Sequence, residues 1–260
     1  MSAGAAPAGT AVAVIPVRVD SKRLPGKALL AETGRPLFLH TCEQARRARA
    51  FSRVIVATDH GDVAAAARAA EFEVVMTTSA PRTGSERCAQ AIAQIPCDVV
   101  VDIQGDWPEV DPDDLDALAA ELRRGECPVG TLAVAMDTAE ETARSANPNV
   151  VKVVRDLRGR ALYFSRSPIP HVREGQRHTL LRHIGVYGFT RSALLALPGM
   201  TGSGLEDAEG LEQLRWLENG YSTKVLLARG RPWGIEARED YDAFLTRYRA
   251  TARARKEQRA

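Results

Sequence analysis

The sequence predicts an α/β protein with a mixed, mostly parallel central sheet flanked by helices. Three observations predict it. Short Val- and Ile-rich runs alternate with segments whose apolar residues recur at helical spacing. Runs such as AVAVIPV (11–17) and VVVDI (99–103) are apolar at nearly every position, as strands covered on both faces must be. The alternation continues at short intervals, the pattern of a sheet whose crossovers are helices.

Taken in order, residues 11–17 are a buried strand and 18–27 a polar turn. Residues 37–49 form a helix with basic residues at its end, 53–58 a strand, 62–70 an Ala-rich helix and 73–76 a third strand. Residues 86–94 are helical, and 99–103 form a strand that runs straight into Gln104-Gly105-Asp106. A helix over 113–124 opens on an Asp cap. Beyond Gly125 the rhythm changes. Strands are expected over 129–135, 150–156, 161–164, 182–189 and 224–228, with a turn at Arg158-Gly159. Residues 204–219 read as one helix offering Leu205, Leu211, Leu214 and Trp216 to one face, and 240–253 as a closing helix. The second half therefore extends the first-half sheet and adds a smaller β-rich flap. One domain over 11–250 is expected, with residues 1–10 and 254–260 as disordered tails.

Composition narrows the function. Lys and Arg total 35 against 33 Asp and Glu, a formal charge of +2, so a polybasic nucleic-acid binder is not expected. Hydrophobic content of 45% and charged content of 26% are globular values. No apolar run approaches the roughly 18 residues of a membrane span. The first ten residues lack the basic and long apolar regions of a signal peptide, so a cytoplasmic protein is expected. The four cysteines, Cys42, Cys88, Cys97 and Cys127, form no C-x-x-C pair, which argues against a disulfide framework or zinc site.

Three segments carry chemistry. Arg18-x-x-Ser21-x-Arg23-Leu24-Pro25-Gly26-Lys27 follows the first strand, where an open α/β sheet binds ligands, and its cations and backbone N–H groups suit phosphates. It is neither a G-x-G-x-x-G nor a Walker A loop. Gln104-Gly105-Asp106 ends an apolar strand, and a carboxylate there suits Mg²⁺ shared with a phosphate, although an Asp-capped turn reads equally well. Thr83-Gly84-Ser85-Glu86-Arg87 could meet a base or ribose, but taken alone it is more simply a helix N-cap.

Together with VIVATDH, NPNVVKVV, ALYFSRSPIP, RHIGVYGF and GLEQLRWLENG, these segments resemble, in order, the 3-deoxy-manno-octulosonate (Kdo) cytidylyltransferases over about 11–243. The resemblance implies a GT-A-like nucleotidyltransferase fold, a homodimer, and CTP as substrate with Mg²⁺. It implies transfer of CMP to a small acidic acceptor with release of pyrophosphate. Arg18, Ser21, Arg23 and Lys27 match the triphosphate turn; Thr83, Ser85, Arg87 and Gln104 match the nucleotide site. Gln104, Arg166, His183, Tyr187, Glu212 and Gln213 match the acceptor pocket. Asp106 and Glu236 match the metal ligands, and Lys27, Asp106 and Arg23 the catalytic centre. No membrane or nucleic-acid partner is implied.

Three departures stand out. Trp107 occupies the position of a Glu in Q-G-D-E-P. Glu236 stands where an Asp is usual, and Arg82 replaces an uncharged residue. Added positive charge and a lost carboxylate suit a more compact or more anionic acceptor. A small phosphonate such as phosphonoformate is therefore an alternative to a Kdo-like ulosonic acid. Two further rivals are a nucleotide-binding relative without catalysis, and a sugar-1-phosphate nucleotidylyltransferase. Retention of Asp106, Lys27 and Arg23 argues against the first; the ALYFSR and RHIGVYG segments argue against the second.

Overall fold

The computed structural model describes residues 10–21, 23–202 and 204–257. Its elements run β1 (Ala11–Val17), α1 (Leu37–Arg47), β2 (Phe51–Thr58), α2 (Gly61–Ala69), β3 (Glu73–Met76), α3 (Gly84–Ile92), β4 (Val99–Ile103) and α4 (Pro112–Arg124). They continue with β5 (Val129–Ala135), α5 (Ala139–Ala143), β6 (Lys152–Arg155), β7 (Ala161–Ser165), β8 (Leu181–Thr190), α6 (Arg191–Ala196), α7 (Gly204–Glu209), α8 (Gln213–Glu218), β9 (Thr223–Leu227) and α9 (Arg238–Glu257).

The strands lie in the order β3-β2-β1-β4-β8-β5-β9, and only β8 runs antiparallel to its neighbours on this path. The hairpin β6–β7 attaches to β8 through Lys152 opposite Arg182 and forms the expected β-rich flap. Strand pleating explains the apolar runs. In β1, Ala11, Ala13, Ile15 and Val17 pack under α1, α2 and α4, while Val12 and Val14 pack on the opposite face under α3 and α6. Both layers are buried, so neither face of the strand can be polar.

The order of the strands fixes where a ligand can sit. The chain leaves β1 towards β2 and β3 on one side, then returns to place β4 on the other. Helices α1 and α3 cover opposite faces, so a crevice opens between the carboxyl ends of β1 and β4. The turn after Val17 and the segment after Ile103 share that crevice because their strands are adjacent.

Two expectations change. The 204–219 helix is broken at Gly210, whose φ of 61° is left-handed, and Leu205 is exposed. The break turns the chain so that Leu211 and Leu214 can pack against the β6–β7 hairpin and Trp216 under the sheet. The closing helix continues to Glu257, so 254–257, read as part of a tail, are helical; residues 1–9 and 258–260 lie outside the described residues. Helices α5 and α6 were not anticipated. All four cysteines are free and buried. Among the described residues no helix is long and apolar enough to cross a membrane.

Candidate active site

A cleft of about 1610 Å³ opens at the carboxyl ends of β1 and β4. One wall is the basic turn. Gly26 takes φ 68°, a conformation that costs glycine little, and the following residues Lys27–Leu29 coil into a 3₁₀ turn. The turn aims Lys27 inward, where its Nζ lies 2.6 Å from Asp106 Oδ2 and 2.5 Å from the Ile235 carbonyl oxygen. Arg23 donates to Glu236 Oε2 at 2.7 Å and to Asn149 Oδ1 at 2.6 Å. Arg18 is exposed, and Arg18 and Ser21 line the same wall.

The two carboxylates come from segments 130 residues apart in a chain that must be tied to bring them together. Ile235 N–H donates to the Asp106 carbonyl at 2.9 Å, and Asp240 accepts from the N–H groups of Glu236 and Ala237 at 3.1 and 3.0 Å. Burial and then the charge of Asp106 raise the Glu236 pKa, while Lys27 and Arg23 oppose that rise. Among the described residues no group of three or more His, Cys, Asp or Glu could hold a metal ion unaided. Two half-buried carboxylates facing a phosphate-sized space nevertheless fit Mg²⁺, which takes one or two carboxylates and completes its shell with phosphate oxygens and water.

Trp107 explains how the cleft floor is shaped. Its indole wedges between Gly185 of β8 and Gly234. A Cβ at Gly185 would stand 2.8 Å from Trp107 Nε1, and one at Gly234 would stand 3.0 Å from Cζ2. Gly185 leaves no room for a Cβ unless the indole shifts, and Gly234 would be tight. Trp233, next in the same segment, lies between the guanidinium groups of Arg144 and Arg182, each 3.9 Å from the ring centroid.

The opposite wall comes from β8 and the start of α8. His183 is buried against Thr131, with Nε2 3.0 Å from Oγ1, and burial lowers its pKa to about 3, so the ring is neutral. Tyr187 donates to Gln213 Oε1 at 3.0 Å. Arg166 donates from its guanidinium to the carbonyls of Glu209 (2.6 Å), Pro148 (2.9 Å) and Gly210 (3.3 Å), which pins the chain at the helix break. Glu212 and Gln213 follow that break at once and line the cleft.

The structure thus gathers Arg18, Ser21, Arg23, Lys27, Thr83, Gln104, Asp106, Arg166, His183, Tyr187, Glu212, Gln213 and Glu236 around one space. Two residues assigned to nucleotide binding are elsewhere. Arg87 is buried away from the cleft, donating to Asp59 Oδ2 at 3.2 Å, the Thr78 carbonyl at 3.3 Å and Thr77, so it clamps the ends of β2 and β3. Ser85 stands behind the wall, bridging Asp102 and Glu212. Thr83 caps α3 by accepting from Glu86 N–H at 3.2 Å. The sequence reading missed Asn149, Arg144, Arg182 and Trp233. Asn149 sat in a quoted segment, NPNVVKVV, but nothing local marked it as a partner of Arg23.

A mixed, mostly parallel sheet whose end cleft joins the cations Arg23 and Lys27 to two carboxylates, Asp106 after β4 and Glu236 before α9, fits a nucleotidyltransferase. Comparison with known proteins agrees. A family model described as cytidylyltransferase matches residues 12–226. The chain is 47% identical over 232 residues to a 3-deoxy-manno-octulosonate cytidylyltransferase of Chlorobium phaeobacteroides, covering 89% of this chain and 94% of the relative. It is 43% identical to a protein of the same name from Chlorobaculum tepidum, with the same coverage of both chains. A solved structure of CMP:2-keto-3-deoxy-manno-octonic acid synthetase complexed with CTP superposes with a TM-score of 0.85 at 34% identity, covering 95% of this chain and 99% of that one. The chain belongs to the cytidylyltransferase family, among the 3-deoxy-manno-octulosonate cytidylyltransferases.

Proposed function

We propose that this chain transfers CMP from CTP to 3-deoxy-manno-octulosonate and releases pyrophosphate. The observation that carries the reading is the single cleft in which Lys27 and Arg23 meet Asp106 and Glu236 while His183, Tyr187, Glu212 and Gln213 form the facing wall. The names of its relatives favour the ulosonic acid over a small phosphonate.

The reaction is an in-line displacement at the α-phosphorus. An acceptor hydroxyl oxygen bonds to the α-phosphorus as the bond to pyrophosphate breaks, its proton is released to solvent, and positioning with charge stabilisation supplies the catalysis. Arg18, Arg23 and Lys27 hold the triphosphate and stabilise charge on the departing pyrophosphate, with Ser21 beside them. Gln104 and Thr83 line the nucleotide side. Arg166, His183, Tyr187, Glu212 and Gln213 orient the acceptor, whose hydroxyl groups suit neutral imidazole, amide and carboxylate partners. Asp106 and Glu236 would hold Mg²⁺, which when bound would lower the acceptor's pKa and neutralise phosphate charge. The Trp107 wedge keeps the Glu236 segment at a fixed height above the floor. Residues 11–250 act as one catalytic unit in a cytoplasmic homodimer. Exposed Leu157 and Leu162 on the β6–β7 hairpin and Leu227 on the edge strand offer apolar surface for pairing.

The test is pyrophosphate release from CTP and Mg²⁺ with Kdo, with phosphonoformate and with no acceptor. Release with Kdo alone is expected. Release with phosphonoformate alone would overturn the acceptor, and silence with both would overturn the activity.

A further inference from the structure

Behind the acceptor wall lies a carboxyl group with no assigned part in the transfer, Asp102, coupled through Ser85 to Glu212 of that wall. Asp102 is fully buried on β4, opposite Tyr187 of β8. Its Oδ2 lies 2.9 Å from Ser85 Oγ, and the same hydroxyl lies 3.1 Å from Glu212 Oε1. Asp102 Oδ1 accepts from Gln104 Nε2 at 2.7 Å. Ser85 has one hydroxyl hydrogen and can donate it to only one carboxyl group. The second contact is a hydrogen bond only if the other carboxyl group carries a proton and donates to Ser85.

The neighbours favour a shared proton and say where it sits. Nearby guanidinium groups are committed elsewhere: Arg87 of α3 to Asp59, Arg215 of α8 to Glu86 and Glu206. Cys88 of α3 and Tyr187 and His183 of β8 are each held neutral by burial. Burial and the charge of Glu212 raise the Asp102 pKa well above the usual carboxylate range. Burial raises the Glu212 pKa as well, and both carboxyl groups accept hydrogen bonds that oppose the rise: Asp102 from Ser85, Cys88 and Gln104, Glu212 from Thr83 and Ser85; Glu212 is further favoured as the ion by the charge of Arg215. Glu212 Oε2 and Gln213 Nε2 are buried without a hydrogen-bond partner among the described residues.

We propose that Asp102 is a positioning residue held as a neutral carboxylic acid, donating to Ser85, which donates to Glu212, while Gln104 donates to Asp102. This one-way chain fixes Glu212 as the ionised member of the acceptor wall. It also commits the Gln104 amide group inward, leaving its carbonyl oxygen for the cleft. That one of the two carboxyl groups is protonated stands on the Ser85 geometry, and the charge of Arg215 acting on Glu212 assigns the proton to Asp102; the effect on acceptor binding rests on the function proposed above.

Infrared difference spectroscopy of wild type against Asp102→Asn, without substrates at neutral pH, tests the proton directly. The expected result is a carboxylic-acid carbonyl band that is present in wild type, shifts in D₂O and is lost in the variant. No such band overturns the proposal, whatever the acceptor is. Kinetics provide the second arm. Asn keeps a donor and an acceptor in the same places, so Asp102→Asn should retain kcat/KM for Kdo within about threefold. Asp102→Leu breaks the chain and should raise the acceptor KM by roughly ten- to a hundredfold, the loss expected when a hydrogen bond to a charged group is removed. A thousandfold loss in Asp102→Asn would mean that ionised Asp102 is required, and would overturn the proposal. The Asn and infrared arms do not need the Leu variant to fold. A wild type that shows the band but does not turn over Kdo would refute the acceptor and leave the proton assignment standing.

Discussion

Glu141→Gln isolates the buried ion pair that ties β8 to α5. Arg182 and Glu141 have side chains only 2% and 4% exposed. Arg182 donates twice to Glu141, from Nε at 3.0 Å and from Nη2 at 3.1 Å, and once to the Pro232 carbonyl at 2.9 Å. Glutamine retains the shape but leaves a buried guanidinium without its counter-charge. Breaking one side of such a pair costs about 3–5 kcal/mol. That is a large share of the roughly 5–15 kcal/mol that holds a native protein together. At roughly 2–4 °C per kcal/mol for a chain of this class, the melting midpoint should fall by about 6–20 °C. Urea titration followed by circular dichroism and Trp fluorescence gives the free energy, with an unchanged slope expected. The double variant Glu141→Leu with Arg182→Met removes both charges and should recover most of the loss, because apolar replacement of a buried pair is often neutral. A cost below about 1 kcal/mol for the single variant, or a double variant no more stable than the single, would refute the reasoning.

Other outcomes follow from the same geometry. Asp106→Asn should abolish turnover while leaving weakened CTP binding detectable by calorimetry; unchanged turnover would remove Asp106 from the metal site. Lys27→Met should lower kcat by about 10²–10³-fold, the size of loss seen when a donor to developing charge is deleted; steady-state kinetics checks this, and a loss under tenfold would leave Lys27 a structural tie. Gly185→Ala places a methyl 2.8 Å from Trp107 Nε1 and should destabilise by about 1–3 kcal/mol while raising the acceptor KM; a wild-type melt would mean that the indole moves freely. His183 has its pKa lowered from 6.5 to about 3, so protons bind the unfolded chain first. Its stabilising contribution is complete above about pH 6.5 and is lost as pH falls towards 3, by at most about 1.4 kcal/mol per pH unit. His183→Gln should flatten that fall in urea titrations across the acid range, and an unaltered profile would exclude His183 as its source.

Much of this was legible in the chain itself. β1 and β4 match their expected ranges because near-continuous apolar runs are buried on both faces, and β3 and β5 match theirs although β3 is a short, half-exposed strand at the sheet edge. The basic turn and Gln104-Gly105-Asp106 declared themselves by following strands, and strand adjacency brought them together. Partnership across distance was not legible. Nothing in the sequence around Arg87 distinguishes a nucleotide contact from a clamp on Asp59. Asp102 sits inside VVVDI, where one polar letter in a buried strand gives no hint of Ser85 or Glu212. The break at Gly210 was hidden because the leucines on either side fit a single helical stripe, and only packing against β6–β7 separates them.

Strand β8 lies between β4 and β5, with Tyr187 directly opposite Asp102. In the proposed assignment β1 and β4 carry the nucleotide side and β8 part of the acceptor wall, and the neighbouring strands β4 and β8 lie one interstrand spacing of about 4.8 Å apart. On that assignment the offset between the two sides would be set by the hydrogen-bonded ladder of β4 and β8. The layout separates two kinds of change. Replacing outward-facing residues on β8 and the first turn of α8 can alter which acceptor is taken, while the triphosphate end keeps its register. A chimera that grafts those two segments from a relative with a different acceptor would inherit the alignment of the reacting atoms from the sheet.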